Sequence, residues 1–220
     1  MKLARLVLLL AVLAVHSYSQ TPALQGHDDL QSWNDLFLTV PMSKRVDFFT
    51  RLTAQFSKNV SRLDDQRFAI GIVWKPAKAL SISPFYWYLY ARNAFGKFRI
   101  ENELNLAATY RFPIRRFGLS HRSQFERRLR IPVNSWRYRA QFTVDKDIPK
   151  HLIPKAKWFV SDEVFHDSLL NRFSRNRFAA GISKTLSPHL AVDIYYMRQN
   201  DGIARPGNLH TIWTAWKIRA

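Results

Sequence analysis

One stretch limits what this chain can fold into more than any other. Over residues 119–144 the sequence reads Leu119-Ser120-His121-Arg122-Ser123-Gln124-Phe125-Glu126-Arg127-Arg128, then a short break, then Trp136-Arg137-Tyr138-Arg139-Ala140-Gln141-Phe142-Thr143-Val144. Taking every second residue separates two faces. Arg122, Gln124, Glu126, Arg128, Arg137, Arg139, Gln141 and Thr143 share one; Leu119, Phe125, Trp136, Tyr138, Ala140, Phe142 and Val144 share the other. A period of two is that of a β-strand. A charged face backed by an aromatic face suits the wall of a transmembrane β-barrel, with a polar lumen and an apolar outside that meets lipid. A soluble exported β-domain is the competing class.

The pattern continues along the chain. Segments about ten residues long, separated by turn signals, occupy 30–40, 44–56, 64–75, 80–90, 98–110, 118–130, 136–145, 156–165, 174–186, 190–199 and 209–219. Such spacing is the mark of a barrel. The expected fold class is therefore all-β: a transmembrane antiparallel β-barrel of about 10–12 strands, filling residues 30–220 as one domain. Eleven segments conflict with the even strand number of single-chain bacterial barrels. Either 30–40 is not a wall strand, leaving ten, or the leader supplies a twelfth. Short Pro-containing turns are expected on the periplasmic side and longer loops outside.

The N-terminus supports export. Lys2 and Arg5 form a basic start, residues 6–15 are apolar, and Ser17 and Ser19 are small residues ahead of Gln20. Residues 1–19 read as a secretory signal peptide, too short to span as a helix. Residues 20–29 read as a flexible leader. The chain has no Cys, which excludes a disulfide-stapled domain, a thiolate metal site and a Cys nucleophile. No His-Glu-x-x-His run or other metal spacing occurs, so neither metal nor cofactor is expected. The net charge is +18, a balance that often signals nucleic acid. Here the Arg residues alternate with apolar residues along strands of an exported chain, so lumenal pairing and anionic headgroups account for them instead. The expected location is the outer membrane of a Gram-negative bacterium. The expected partners are outer-membrane lipids, lipopolysaccharide and the barrel-insertion machinery, with no nucleic acid, and the expected state is a monomer.

Several runs, in order, resemble the bacterial family called domain of unknown function 2490, whose members are expected to be outer-membrane barrels. They are Leu30-Gln31-Ser32-Trp33-Asn34-Asp35, Pro41-Met42-Ser43, Arg122-Ser123-Gln124-Phe125-Glu126-Arg127-Arg128, Arg137-Tyr138-Arg139, Glu163-Val164-Phe165, and Asn176-Arg177 with Gly181. The resemblance covers nearly the whole chain after the signal. It implies location and fold and brings no activity. The family's central motif carries Arg where this chain has Gln124. The chain also ends in Ala220 rather than the aromatic residue that barrels often present to the insertion machinery.

Three constellations carry possible chemistry. The inward register collects Arg51, Arg67, Arg99, Arg122, Arg128, Arg137, Arg139, Arg175 and Arg177 with Glu101, Glu103, Glu126, Glu163 and Asp193. Charges in a low-dielectric interior must pair or stay wet. This set reads as an ionic network that plugs the lumen and fixes register, or as the lining of a narrow anion-preferring pore. Next, His121 and Ser123 project from the lipid-facing side, as in outer-membrane phospholipases and lipid A deacylases. There a His activates a Ser nucleophile, and Asn102 is the candidate third member. The plainer reading is a polar pair near the interfacial rim. Last, Trp74, Tyr86, Tyr88, Tyr90, Trp136, Trp158, Trp213 and Trp216 read as membrane-interface aromatics. A non-enzymatic structural or binding barrel, or a narrow pore, is the leading reading; the lipid hydrolase is the alternative.

Overall fold

The computed structural model describes residues 28–93, 96–203 and 206–220. The proposed signal peptide and all of the leader before Asp28 lie outside the described residues. Eleven strands follow one another: β1 Asp29–Pro41, β2 Val46–Ser57, β3 Arg62–Ala77, β4 Leu80–Arg92, β5 Phe98–Phe112, β6 Gly118–Leu129, β7 Ser135–Asp147, β8 Ala156–Asp167, β9 Arg172–Ser187, β10 Leu190–Asp201 and β11 Asn208–Arg219. Each pairs with its sequence neighbours, and β1 closes on β11.

The closure resolves the parity conflict against both expected solutions. β1 is a full wall strand. It pairs antiparallel with β2, as Trp33 with Gln55, and in parallel with β11, as Trp33 with Trp213. An odd number of alternating strands brings the first and last together pointing the same way, so the seam must be parallel. The barrel thus has eleven strands, neither ten nor twelve.

Connections at the two ends are similar in length. One end, called here the turn end, carries 42–45, 78–79, 113–117, 148–155 and 188–189; the other, the entry end, carries 58–61, 93–97, 130–134, 168–171 and 202–207. The expected sorting of short turns from long loops does not hold, since the longest connection, 148–155, shares its end with the two-residue turns. Entry-end turns are closed by side chains that mimic a backbone acceptor. Asn93 Oδ1 accepts from the Lys97 amide (3.0 Å), Asn134 Oδ1 from Arg130 (3.0 Å), Asp167 Oδ1 from Leu169 (2.9 Å) and Asp201 Oδ1 from Ile203 (2.9 Å).

The pleat puts odd-numbered residues of β1 to β5 inside, as in Trp33, Thr53, Ala69, Trp87 and Glu103, all buried; their even-numbered neighbours Leu36, Leu52, Ile70, Tyr88 and Leu104 are exposed. The apolar side chains a soluble protein would hide are therefore on the outside, and the charges are within. Inward residues from most of the eleven strands, including Glu126, Phe165, Met197 and Thr211, are almost inaccessible to water. A side chain lining an open channel would be wet, so the lumen is filled at this level.

The barrel is built from a repeated unit. Arg67-Phe68-Ala69-Ile70-Gly71-Ile72 on β3 returns as Arg177-Phe178-Ala179-Ala180-Gly181-Ile182 on β9. The register shift at Gln55/Phe56 between β2 and β3 returns at Phe165/His166 between β8 and β9. Gly71 sits between Phe49 and Phe85, whose rings meet over it edge to face at 5.9 Å. Gly181 sits between Phe159 and Tyr195, whose rings meet at 5.4 Å in the same way. A Cβ on either glycine would fall 2.4 Å from Phe85 Cβ or 2.1 Å from Tyr195 Cβ. Only glycine lets the two neighbouring aromatics close over the strand. Strands β2–β5 thus match β8–β11, and β3 and β9 stand on opposite sides of the barrel.

Candidate functional site: the lumen

The ionic network occupies the wall β5–β8. Glu126 on β6 is fully buried. Its Oε1 accepts from Gln124 Nε2 (2.8 Å) and Arg139 Nη1 (2.8 Å), and its Oε2 from Arg137 Nε. Glu163 on β8 accepts from Arg139 Nε and Nη2 (both 2.9 Å) and from Arg122 Nη2 (2.7 Å). Arg139 therefore forks between two carboxylates, the bidentate geometry that suits a guanidinium. Arg128 holds Glu101 through two nitrogens and lies 3.3 Å from Glu103 and 3.5 Å from Asp167. Arg137 also reaches Glu103 at 3.4 Å. Gln124 bonds Asn105 Oδ1 (3.0 Å) as well as Glu126. With three Arg side chains already crowding Glu126 and Glu163, a neutral amide fits there without adding charge.

The rest of the lumen combines charge with rings. Asp35 accepts from Arg51 Nη2 (2.6 Å), Thr53 Oγ1 (2.5 Å) and Trp213 Nε1 (2.6 Å). The Arg51 guanidinium lies over Phe37 (4.6 Å) and Trp87 (5.0 Å). Asp193 pairs with Lys217, and Asp47 with Lys75 (2.5 Å) and Arg219 (3.3 Å). Phe165 gathers the guanidiniums of Arg137, Arg139, Arg175 and Arg177 around its ring.

Sequence reasoning put Asp47 on the face of Arg51 but overlooked Asp35, Asp65, Asp167 and Asp201 as lumenal acids. The last three follow from carrying the inward parity toward the strand ends, and Asp35, at the middle of β1, required trusting the first strand. Two expected assignments are corrected. Trp213 is not an interface aromatic: it faces inward, against Trp33 at 4.7 Å and bonded to Asp35. A three-residue step separates it from outward Trp216, which puts the two on opposite faces. Arg99 is exposed at the start of β5 and forms no ion pair among the described residues. The remaining aromatics, Trp74, Tyr86, Tyr88, Tyr90, Trp136, Trp158 and Trp216, project outward.

Outside the barrel, His121 Nε2 is 2.9 Å from Ser123 Oγ, which is 3.0 Å from Tyr138 Oη. Asn102 is not the third member of this pair. It lies opposite Leu129, far along the ladder from His121, and accepts from Tyr86 Oη. Among the described residues His121 Nδ1 has no hydrogen-bond partner, and it is buried. A dyad whose base has no orienting acceptor lacks the arrangement that keeps a catalytic His in the correct tautomer.

At the entry end the lumen opens into a cavity of about 900 Å³, lined by Trp33, Arg67, Arg92, Arg175, Arg177 and Gln199 among others. Among the described residues no group of three or more His, Asp or Glu side chains is placed to hold a metal ion.

These features define a class: a closed β-barrel with a charged, filled interior and an apolar exterior. The chain belongs to the family described as "Protein of unknown function (DUF2490)", whose model matches residues 30–208. No curated protein matches the sequence. Among solved structures it is similar to an anion-selective porin from Comamonas acidovorans, at 12% identity and a TM-score of 0.40, over 80% of this chain and 54% of that one. This chain thus spans about half the length of that porin.

Proposed function

We propose that this chain is an integral outer-membrane β-barrel of a Gram-negative bacterium, acting as a structural or binding barrel with a plugged lumen. One observation carries the reading: around the whole barrel the exposed face is made of large apolar and aromatic side chains, including Leu36, Leu52, Ile70, Leu104, Phe125, Trp158, Ile194 and Trp216. In water such a surface would drive aggregation; in a bilayer it is the required outside of a barrel. The signal-like residues 1–19 agree with export, and the outward Trp and Tyr side chains suit the headgroup boundary. Lipids, lipopolysaccharide and the insertion machinery are the partners this reading needs, and a monomer suffices for it. The belt of water-excluded lumenal residues supports a plug over a pore.

Membrane fractionation with heat-modifiable gel mobility tests the placement. The protein should appear in the outer-membrane fraction and shift on boiling; a soluble periplasmic product would overturn it. Planar-bilayer recording tests the plug, with steady single-channel conductance as the contrary result. The lipid-hydrolase alternative gains no support from the His121–Ser123 geometry.

A further inference from the structure

We propose that the entry-end cavity is a binding site for a small organic anion, with Arg177 as the residue that grips its carboxylate or phosphate. This deepens the binding-barrel reading above and rests on it.

The argument starts from the repeat. On β3, Arg67 is neutralised within its own strand: its Nε and Nη2 donate to both oxygens of Asp65, at 2.8 and 2.5 Å. On β9 the equivalent arginine is Arg177, and the position equivalent to Asp65 is Arg175. A carboxylate has become a second cation. Arg175 is matched by Asp201 (2.5 Å), which stands where the first half has Ala91. That leaves Arg177 with no acid in ion-pair contact among the described residues; Glu163, its partner across the β8–β9 ladder, is held by Arg122 and Arg139. Arg177 Nε donates to Gln199 Oε1 (2.7 Å). Its guanidinium lies between the rings of Trp33 (5.0 Å) and Phe165 (4.9 Å). The stacking fixes its plane while its two terminal nitrogens make no hydrogen bond among the described residues.

Those nitrogens belong to a cavity wall. Arg177 is half-buried and the acid facing it is already engaged by two other guanidiniums, and a planar fork of unused donors is the geometry that takes a carboxylate or phosphate bidentately. Arg67 faces it from the opposite wall, already neutralised. Gln31, Gln55 and Ser57 also line the cavity and offer polar groups to hydroxyls; of its four aspartates, Asp64 and Asp65 are paired with Arg62 and Arg67, Asp29 accepts from Gln31 and the amides of Lys58 and Asn59, and Asp28 from Asn208. About 900 Å³ falls in the range of pockets that hold drug-sized ligands. The fitting class is a hydroxylated organic acid or sugar phosphate, entering from the end where β1 begins.

The test is isothermal titration calorimetry of the refolded full barrel in detergent, with gluconate, glucose 6-phosphate, inorganic phosphate and glucose as probes. The anionic sugars should bind and glucose should not. Inorganic phosphate binding as tightly as glucose 6-phosphate would reduce the site to a bare anion site and overturn the hydroxyl contribution. Arg177→Gln should weaken gluconate or glucose 6-phosphate binding about 10- to 100-fold, the worth of hydrogen bonds to a charged group. A second variant does not depend on removing Arg177: Arg175→Asp with Asp201→Asn rebuilds in the second half the Asp65–Arg67 pair of the first and keeps the Oδ1 that closes the turn at Ile203. It should fold as the first half does and abolish binding by neutralising Arg177. Unchanged affinity in either folded variant, glucose binding as well as the anions, or no heat with any probe overturns the proposal. Heat-modifiable mobility, run on each sample, reports the barrel independently, so failure of the membrane reading appears there and not in the titration.

Discussion

The wall β5–β8 and the two aromatic rungs over Gly71 and Gly181 both fill the inside of the barrel, by opposite means. In β5–β8 each strand brings a carboxylate or a guanidinium, and burial is tolerated because Glu101, Glu126 and Glu163 each meet guanidinium groups through two or more hydrogen bonds. At the rungs, a glycine gives up its side chain so that two rings from the flanking strands can meet over it. The first solution depends on all its members at once, because removing one leaves the others charged, dry and unmatched. The second depends on a single absent methyl and fails by overlap. A barrel of about eight strands can be filled by ordinary side chains; with eleven the interior is wider, and long Arg and large aromatic residues span it.

The comparison can be broken most forcefully at Glu126. Glu126→Ala should cost about 3–5 kcal/mol, the usual penalty for breaking a buried pair, because it leaves Arg137 and Arg139 short of a counter-charge. Denaturant unfolding of the refolded barrel, followed by tryptophan fluorescence, measures it; a loss under 1 kcal/mol would mean that water reaches the network. At the rungs, Gly71→Ala and Gly181→Ala should each cost about 1–3 kcal/mol through overpacking. Because the two sites are copies, their losses should agree closely. A large loss at one and none at the other would show the repeat to be formal only. The smallest effect belongs outside the barrel. Ser123→Ala should change stability by under about 0.5 kcal/mol and leave phospholipid and lipid A hydrolysis at background. Hydrolysis by wild type that this change abolishes would restore the enzymatic reading.

Much of the wall was readable from period-two alternation alone, because the side-chain period of a strand is fixed by the backbone. The segments around Arg67, Arg122, Arg137 and Arg177 show their faces without help from the fold. The strand count did not follow, since a parallel seam leaves no local mark: β1 and β11 look like any other strands. Trp213 was misplaced because its residue type suits two environments, a headgroup boundary or a lumen with an acceptor such as Asp35. Asn102 was misjudged for a different reason. Facing the same side as His121 does not make two residues neighbours, and the register of β5 against β6 separates them. The doubled Arg-Phe-Ala-x-Gly run is plain in the sequence, yet its meaning needed the pairing that places β3 and β9 on opposite walls.

The seam between β1 and β11 has one more consequence. Ten joints of the wall can be laid down by hairpins, each strand folding back on the one before. The eleventh joins two strands heading the same way, which no hairpin can make. The cylinder can be sealed only there, after the intervening strands are in place, and its closing step is the most non-local event in the molecule. A sheet that leaves and returns on the same heading also has its beginning at one end of the barrel and its end at the other. Residue 28 and Ala220 would answer to opposite sides of any membrane the barrel crosses.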